Sequence, residues 1–252
     1  MTTHGAASSR IGILFALPEE AAPFQHLLNN PSQWNVNLTV AVSGVGAKNS
    51  AEAVEKLLAT PGLPFEFILL CGFGGGLHPS LQYNAIAIAS SVITYRERKI
   101  VNEVKANADA LQTFFHSPMS PENLGKLVSS DCVLVTQVDK EIAEAQTGGL
   151  FVDMESAGAV EVLEKAGVPW VALRVITDTS LVDLPLDFNQ FAKVDGNPDV
   201  RKIVLHVLRH PRLIPALLSF GRKTRMSAVY LAFFLERYFK HRFEPEEKAE
   251  RR

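Results

Sequence analysis

The sequence predicts an α/β protein with a single domain, in which a central, mixed and twisted sheet is flanked by helices and followed by a helical C-terminal extension. The first observation behind this prediction is a series of short apolar runs, each bounded by glycine, proline or polar residues. The second is that segments with helical spacing alternate with these runs, which indicates a sheet covered on both faces. The third is composition, because 47% of the 252 residues are hydrophobic and 21% are charged, which suffices for a sizeable core.

The first half of the chain divides into strands and one helix. Apolar or alternating runs predict strands at residues 11–17, 36–42, 65–70 and 85–93, and the spacing of apolar residues predicts a helix at 50–58. The glycine-rich segment 72–76 is predicted to be a loop, as is the charged stretch that ends at Lys105.

The second half repeats this alternation. Short apolar runs predict strands at 132–136, 150–152 and 170–176. A helix is predicted at 155–166, where Gly167 and Pro169 end it. The last strand is apolar except for Arg174, and it leads into Thr177 and Asp178.

The predicted domain boundaries follow changes in composition. Residues 1–10 are small and polar, which indicates a flexible leader and not a signal peptide. The α/β domain is placed at 11–196, a basic amphipathic helical extension at 197–242, and a disordered tail at 243–252. No apolar run reaches the roughly 18 residues that a spanning helix needs. Cys71 and Cys132 form no disulfide or zinc pattern, so a cytoplasmic protein is expected.

Polar residues follow several of the predicted strands. In α/β sheets, ligands usually bind at strand ends, which makes these segments candidates for a site. They are Glu19-Glu20, residues 43–46, residues 72–76, residues 153–156 and Thr177-Asp178. Each has a simpler interpretation as a glycine turn, a favourable partner of a helix dipole or a helix cap.

The order and spacing of these segments resemble the nucleoside phosphorylase and methylthioadenosine/S-adenosylhomocysteine nucleosidase superfamily. The resemblance covers roughly residues 11–195 and is carried by segments 11–20, 43–46, 71–77, 152–155, 168–169 and 174–178. It implies a nucleoside phosphorylase-like fold and cleavage of an N-ribosidic bond, with no cofactor and no metal. It also favours a homodimer.

The resemblance assigns the leaving base and the sugar to two carboxylates. Asp178 matches the acid that protonates the departing purine, and Thr177 is expected to orient it. Glu155 matches the glutamate that binds the ribose hydroxyls, and its place near a helix N-terminus is expected to keep it ionised. Met154 is similar to the methionine under the sugar, with core packing as the alternative.

The remaining site residues are assigned in the same way. Glu20 matches the glutamate that activates water in the nucleosidases, and Arg174 is expected to pair with Glu20 or Glu155. Phe188 corresponds to a phenylalanine of the nucleoside pocket, although core packing is equally compatible. The other expected contributors are the substrate-binding Phe73 and Gly74 and the supporting Ser43 and Gly44.

Hydrolysis is favoured over phosphorolysis. Phosphate needs arginine side chains and free backbone N–H groups, whereas the region after the first strand has Pro18-Glu19-Glu20 and no arginine nearby. Two departures leave the identity of the base open: Phe73 replaces a small polar residue of the nucleosidases, and 133–136 lacks the aromatic that stacks on adenine. A phosphate-dependent phosphorylase and a non-catalytic nucleoside-binding relative are the alternatives.

The C-terminal extension bears on the substrate. Residues 200–242 carry ten Lys or Arg and a single acid, so the remainder of the chain has a formal charge of −11. A basic amphipathic segment with aromatics suits an anionic membrane surface, and a helical lid packed on the core is the alternative. Nucleic acid is not expected, since no recognised binding motif accompanies the charge.

One branch of the superfamily fits this extension. The stretch 135–156, taken together with 209–225, resembles the hopanoid-biosynthesis-associated phosphorylase-like proteins. That branch implies adenosylhopane, an adenosine linked to a lipid, as the substrate.

Overall fold

The predicted α/β class with a mixed sheet is confirmed. The structure is a computed structural model that describes residues 10–28, 36–115, 123–191, 193 and 199–243. Its strands are β1 (Arg10–Phe15), β2 (Asn37–Val42), β3 (Phe65–Gly76), β4 (Ile86–Arg96), β5 (Lys99–Lys105), β6 (Asn123–Ser130), β7 (Phe151–Asp153) and β8 (Trp170–Asp178). Its helices are α1 (Pro18–Leu28), α2 (Ala47–Leu58), α3 (Ala108–Phe115), α4 (Gln137–Thr147), α5 (Ser156–Ala166), α6 (Val200–Arg209) and α7 (Ile214–Phe243).

The sheet closes on itself in its central part. Strands pair in the order β2-β1-β3-β7-β6-β4-β5, and β8 additionally pairs with both β3 and β4. Strand β8 is parallel to β3 and antiparallel to β4, so the sheet is mixed. The ends of β1, β3, β7 and β8 therefore meet in one place, and the pocket described below lies there.

The two faces of the sheet carry separate hydrophobic clusters. Alternate residues of β3 and β8, such as Leu69 and Leu173, pack toward α1 and α7. Their neighbours Leu70 and Ala172 pack toward α2 and α5 on the other face. Burial on both faces explains why these strands are apolar throughout.

The glycine-rich segment 72–76 is not a loop, contrary to the sequence-based expectation. It is the second half of β3, which pairs with β8 up to Gly75 and with β7 at Gly75 and Gly76. A Cβ on Gly74 would lie 3.0 Å from the Arg174 Cβ, and one on Gly75 would lie 3.1 Å from Asp178 Oδ2. The glycines are therefore explained by side chains that lie directly against the strand.

Two further predictions of secondary structure were wrong. Residues 132–136 form an irregular connection before α4, and the strand in this region is the preceding β6, which is partly polar. The charged stretch before Lys105 is β5, an edge strand that pairs only with β4 among the described strands. Most of its side chains are exposed, so burial imposes no apolar pattern on it.

The chain ends differ from the predicted boundaries where the structure describes them. Arg10 was assigned to the leader, but it opens β1, is buried, and stacks 4.1 Å above the Phe65 ring. Phe243 was assigned to the tail, but it ends α7. The rest of the predicted leader and tail, residues 1–9 and 244–252, lies outside the described residues.

The C-terminal extension has two parts. Helix α7 runs through Pro215 and Gly221, two residue types that often end a helix. Pro215 does not break it, because a proline in the first turn gives up no intrahelical hydrogen bond. The C-terminal half of α7 packs on the core through Leu231, Leu235 and Phe239. Helix α6 has no buried residue, and in the N-terminal half of α7 no residue before Ser227 is buried.

None of the helices in the described part of the chain is by itself long and apolar enough to cross a membrane. The segments Val200–Arg209 and Pro211–Phe243 reach that length and hydropathy only as a pair, with a bend of 108° between them.

Candidate active site

A pocket of about 480 Å³ lies at the strand ends and brings together most of the predicted site residues. The predicted residues that line it are Glu20, Phe73, Gly74, Met154, Glu155, Thr177, Asp178 and Phe188. Arg174, Ser43 and Gly44 do not line it. They lie behind it, where the structure gives them supporting contacts.

Glu20 is buried at the start of α1 and is held by the backbone. Its Oε2 accepts hydrogen bonds from the N–H groups of Ala16 and Leu17, both at 2.9 Å, and its Oε1 accepts one from Phe73 at 2.8 Å. Burial raises the pKa of Glu20, although the three N–H groups and the positive charge of Arg174 act against that rise. The predicted contribution of Phe73 thus includes its backbone N–H.

The backbone at residue 72 allows this arrangement. Gly72 has a φ of 156°, and a Cβ there would lie 2.8 Å from Glu20 Oε1. Any other residue would therefore collide with the carboxylate. Because Oε2 already accepts two hydrogen bonds and Oε1 accepts one, Oε1 is the oxygen of Glu20 that can accept another hydrogen bond.

Glu155 lies at the N-terminus of α5 and is anchored by two backbone groups. Its Oε1 accepts from the Gly46 N–H at 2.9 Å, and its Oε2 accepts from the Met154 N–H at 3.3 Å. The pKa of Glu155 is raised to about 7, mainly by burial and further by the neighbouring Asp153 carboxylate. The positive charge of Arg174 acts in the opposite direction. Burial thus acts against the ionisation of Glu155 that its place at the helix N-terminus was expected to favour.

Arg174 pairs with Asp153 and not with Glu20 or Glu155. Its Nη2 lies 2.5 Å from Asp153 Oδ2, and its Nη1 donates to the carbonyl of Leu70 at 2.6 Å. Asp153 is fully buried and directly adjacent, so it is the carboxylate that compensates the guanidinium. Arg174 acts on Glu20 and Glu155 only through its charge, which favours their ionised forms.

Asp178 ends β8 and is held between a hydroxyl and a lysine. The Thr177 hydroxyl lies 3.1 Å from its Oδ1, as the sequence led us to expect. Its Oδ2 accepts a hydrogen bond from Lys140 Nζ at 2.6 Å. The Lys140 side chain is 1% exposed, and that of Asp178 is 14% exposed. The two therefore form an ion pair at the inner wall of the pocket.

The turn after β2 supports the part of the pocket that holds Glu155. Ser43 and Gly44 extend the pairing with β1, since their N–H groups donate to the carbonyls of Phe15 and Ala16 at 2.9 Å. Gly44 and Gly46 have φ values of 89° and 96°, a conformation that glycine adopts at least cost. This path brings the Gly46 N–H to Glu155.

The outer end of the pocket is built from the C-terminal extension. Phe188 opens a short 3₁₀ turn, and its ring centre lies 6.0 Å from that of Phe220 on α7. Val200 and Ile203 of α6 complete this wall. The outer end is therefore mainly apolar, with Asn189 and Thr224 as its polar lining residues, in contrast to the carboxylates at the inner end.

Charge is distributed unequally between the lining and the layer behind it. Five acids line the pocket, namely Glu19, Glu20, Asp153, Glu155 and Asp178, and none of the described lining residues is Lys, Arg or His. The cations Lys140 and Arg174 lie behind this layer, each bonded to an acid. Within the described ranges, no group of His, Cys, Asp and Glu side chains is arranged to hold a metal ion.

Three contributors were not assigned a role from the sequence. Asp153 belongs to a motif that was noted, but only the structure identifies it as the partner of Arg174. Lys140 follows Asp139 and precedes Glu141, a pattern typical of an exposed helix face. Gly46 contributes through its N–H alone, which leaves no signal in side-chain chemistry.

The family model of the phosphorylase superfamily matches residues 10–209. The chain therefore belongs to this superfamily, and the resemblance found in the sequence is confirmed at that level. The match extends from β1 to the end of α6 and includes every predicted site residue.

Relatives and solved structures agree with this placement. The 5'-methylthioadenosine/S-adenosylhomocysteine nucleosidase of Mycobacterium bovis is 21% identical over 82% of this chain and 97% of its own length. The aminodeoxyfutalosine nucleosidase of Helicobacter pylori is 23% identical over 76% of this chain and 95% of its own. The structure of the Campylobacter jejuni 5'-methylthioadenosine/S-adenosyl homocysteine nucleosidase has a TM-score of 0.68 at 16% identity, covering 92% of this chain and 99% of that one.

Proposed function

We propose that this chain is an N-ribosyl hydrolase that releases a purine base, adenine, from an adenosine-type nucleoside. The observation that carries the proposal is the meeting of Glu20, Glu155 and Asp178 in one pocket whose described lining has no basic residue. The similar proteins named as nucleosidases support it.

Glu20 activates the attacking water in this proposal. Its three backbone hydrogen bonds fix the carboxylate and leave Oε1 able to accept one more, from water. Because burial raises its pKa, the carboxylate is a stronger base than an exposed glutamate.

Asp178 and Glu155 act on the two sides of the bond that breaks. As the bond between C1′ and the base nitrogen N9 breaks, Asp178 donates a proton to N7 of the purine, and water adds to C1′ while its proton passes to Glu20. Glu155 accepts hydrogen bonds from the 2′ and 3′ hydroxyls and holds the ribose between the two.

The charge of the pocket favours water over phosphate. A phosphate dianion would face the carboxylates of Glu20, Glu155 and Asp178, and none of the described lining residues is an arginine or a lysine. Arg98 does not line the pocket; it is exposed and pairs with Asp139 at 2.6 Å. Phosphorolysis remains the second candidate only through the family, which includes phosphorylases by name.

Base release from purified protein tests the proposal. Adenosine, methylthioadenosine, inosine and a 5'-long-chain alkylthio adenosine are incubated with and without inorganic phosphate, and the free base and sugar are quantified. We expect adenine and free sugar at rates independent of phosphate. Ribose 1-phosphate formed only when phosphate is present would replace the hydrolase with a phosphorylase, and tight binding without turnover would favour a non-catalytic relative.

The outer end of the pocket supports an apolar 5' substituent. Val200, Ile203 and Phe220 extend the pocket beyond the carboxylates that would hold the base and ribose. We propose a lipid-linked adenosine, such as adenosylhopane, as the substrate, because a free hydroxyl or phosphate at C5′ would leave this apolar wall without a matching group.

The exposed side of the extension supports peripheral contact with a membrane. Leu208 and Leu218 are 71% and 68% exposed, and Val204 and Leu205 are about half exposed. The basic residues that accompany them are Arg201, Lys202, Arg209, Arg212, Arg222 and Lys223. Apolar side chains among cations match the anionic headgroups and acyl chains of a cytoplasmic leaflet.

Co-sedimentation with vesicles tests this contact. We expect the protein to bind vesicles that contain phosphatidylglycerol more than vesicles of phosphatidylcholine alone, and the variant Leu208→Asp/Leu218→Asp to lose that binding. Val138→Asp is the matched control, since Val138 is 61% exposed on α4. Absence of binding by the unaltered protein would leave the extension as a lid only.

A homodimer in the cytoplasm completes the proposal. It is carried over from the family resemblance, and size-exclusion chromatography with light scattering measures it directly. A mass equal to that of one 27.6 kDa chain would contradict the dimer.

A further inference from the structure

Lys140 is a buried cation that neither the family match nor the roles proposed above account for. It lies in α4, and its side chain is 1% exposed. Its ammonium donates to Asp178 Oδ2 at 2.6 Å, to the Thr179 carbonyl at 2.9 Å and to the Val182 carbonyl at 3.0 Å. All three N–H donors are therefore used, and all three acceptors belong to Asp178 or the loop after it.

We propose that Lys140 is a positioning residue for Asp178, which fixes one oxygen of that carboxylate and thereby orients the other toward the bound base. The inference rests on the proposed role of Asp178 in base release. With Oδ2 occupied by the ammonium, Oδ1 is the oxygen left to face a bound base, beside the Thr177 hydroxyl.

Lys140 is the positive charge that contacts Asp178 among the described residues. The other ionisable groups of the described lining are Cys132 and the acids Glu19, Glu20, Asp153 and Glu155. Arg174, on the same strand, is engaged by Asp153 and by the carbonyls of Leu70 and Leu173. Among the described residues, Lys140 is thus the cation within hydrogen-bond distance of Asp178.

The ammonium holds Asp178 and the loop after it together, because its other two N–H groups bind the carbonyls of Thr179 and Val182. A group that reacts with the base must be held in one position, so removal of the ammonium should lower kcat more than it changes KM. A purely structural role would change stability without separating kcat from KM.

The test compares Lys140→Met with Lys165→Met, which removes an exposed lysine that pairs with Glu161 on α5. Adenine release is measured over a range of substrate concentrations, and thermal unfolding confirms that each variant is folded. For Lys140→Met we expect kcat to fall about 10²-fold and KM to change less than about threefold. Lys165→Met should match the unaltered protein.

Two further variants keep the inference testable. Lys140→Arg retains the charge and N–H donors for Asp178 and should retain kcat within about tenfold, which tests the inference even if Lys140→Met fails to fold. In the background of Asp178→Asn, Lys140→Met should cause no additional loss of kcat, because the residue through which it acts is absent.

The outcomes separate the two proposals. An active unaltered enzyme whose folded Lys140→Met variant keeps the same kcat would overturn the inference and leave the proposed function intact. Independent, multiplicative losses in the double variant would also overturn it. No base release by the unaltered protein from any nucleoside would remove the proposed function, and this inference with it.

Discussion

The inner and outer ends of the pocket are built by different physical means. At the inner end, Glu20, Glu155 and Asp178 are each fixed by at least two hydrogen bonds from the α/β core. At the outer end, Phe220 and Ile203 lie on helices of the extension that are largely exposed. A rigid inner end holds reacting groups in place, whereas a loosely packed apolar outer end can accept substituents of different length.

The two halves of α7 repeat this contrast within one helix. The C-terminal half is part of the core through Leu231, Leu235 and Phe239. The N-terminal half contributes Phe220 to the pocket and presents exposed apolar residues such as Leu218 on its surface. The extension is therefore neither only a lid nor only a surface helix. Its anchored half positions the half that lines the pocket.

The largest expected effect is at the inner end, on Asp178. Asp178→Asn removes the proton donor and should lower kcat about 10³-fold, measured as adenine release. It also leaves the buried Lys140 ammonium without its partner, which should lower the free energy of unfolding by about 3 kcal/mol. Asp187→Asn is the control, because Asp187 lies outside the pocket lining. Equal activity in Asp178→Asn would remove Asp178 from the mechanism.

The second-largest loss of kcat is expected at Glu20, and the neighbouring Glu19 serves as its control. Glu20→Gln keeps the shape but loses a base and one acceptor for the three backbone N–H groups, so kcat should fall about 10²-fold. The neighbouring Glu19 is exposed, and Glu19→Gln should change kcat less than about threefold. Similar losses in both variants would indicate that the negative charge of the pocket, and not Glu20 as a base, is what matters.

A substitution at the outer end should change KM and leave kcat unchanged. Phe220→Ala removes an apolar wall and should raise KM about tenfold for a long-chain 5'-alkylthio adenosine, while kcat for methylthioadenosine stays the same. Phe233 lies on the same helix, is 53% exposed and is not a lining residue, so Phe233→Ala is the control. An equal rise in KM for the short and the long substrate would contradict the division of the pocket into two ends.

The smallest expected effect is on stability at Glu155. Because its pKa is raised from 4.5 to about 7, the folded protein between these pH values holds a proton that the unfolded chain has released. In this window the contribution of Glu155 to the free energy of unfolding falls as pH rises, whereas a glutamine contributes no such dependence. The Tm of Glu155→Gln relative to the unaltered protein should therefore increase by a few degrees from pH 5 to pH 8. A difference independent of pH would show that Glu155 is ionised throughout.

Strands that are buried on both faces could be predicted from the sequence. Strands β1, the first half of β3 and β8 are buried on both faces, so their apolar runs are continuous and their ends mark the site. Strand β5 was missed because its side chains are mostly exposed. The glycines of β3 were taken for a loop because the reason for them, the packing of Arg174 and Asp178 against the strand, lies about a hundred residues away.

The residues that line the pocket could be predicted from the sequence, but the residues that bind to them could not. Glu20, Glu155 and Asp178 could be chosen because carboxylates at strand ends match a known pattern. The pairing of Arg174 with Asp153, and of Lys140 with Asp178, depends on how β8 meets β7 and α4 in three dimensions. Sequence spacing does not encode such contacts.

The most direct test of the two-ended pocket is adenine release from a series of 5'-alkylthio adenosines of increasing chain length, in buffer free of phosphate. We predict that every member releases adenine with a similar kcat, and that KM falls up to about fourfold for each methylene that the outer end buries. No adenine from any member without phosphate, or a KM that rises steadily with chain length, would contradict a water-using inner end joined to an apolar outer end.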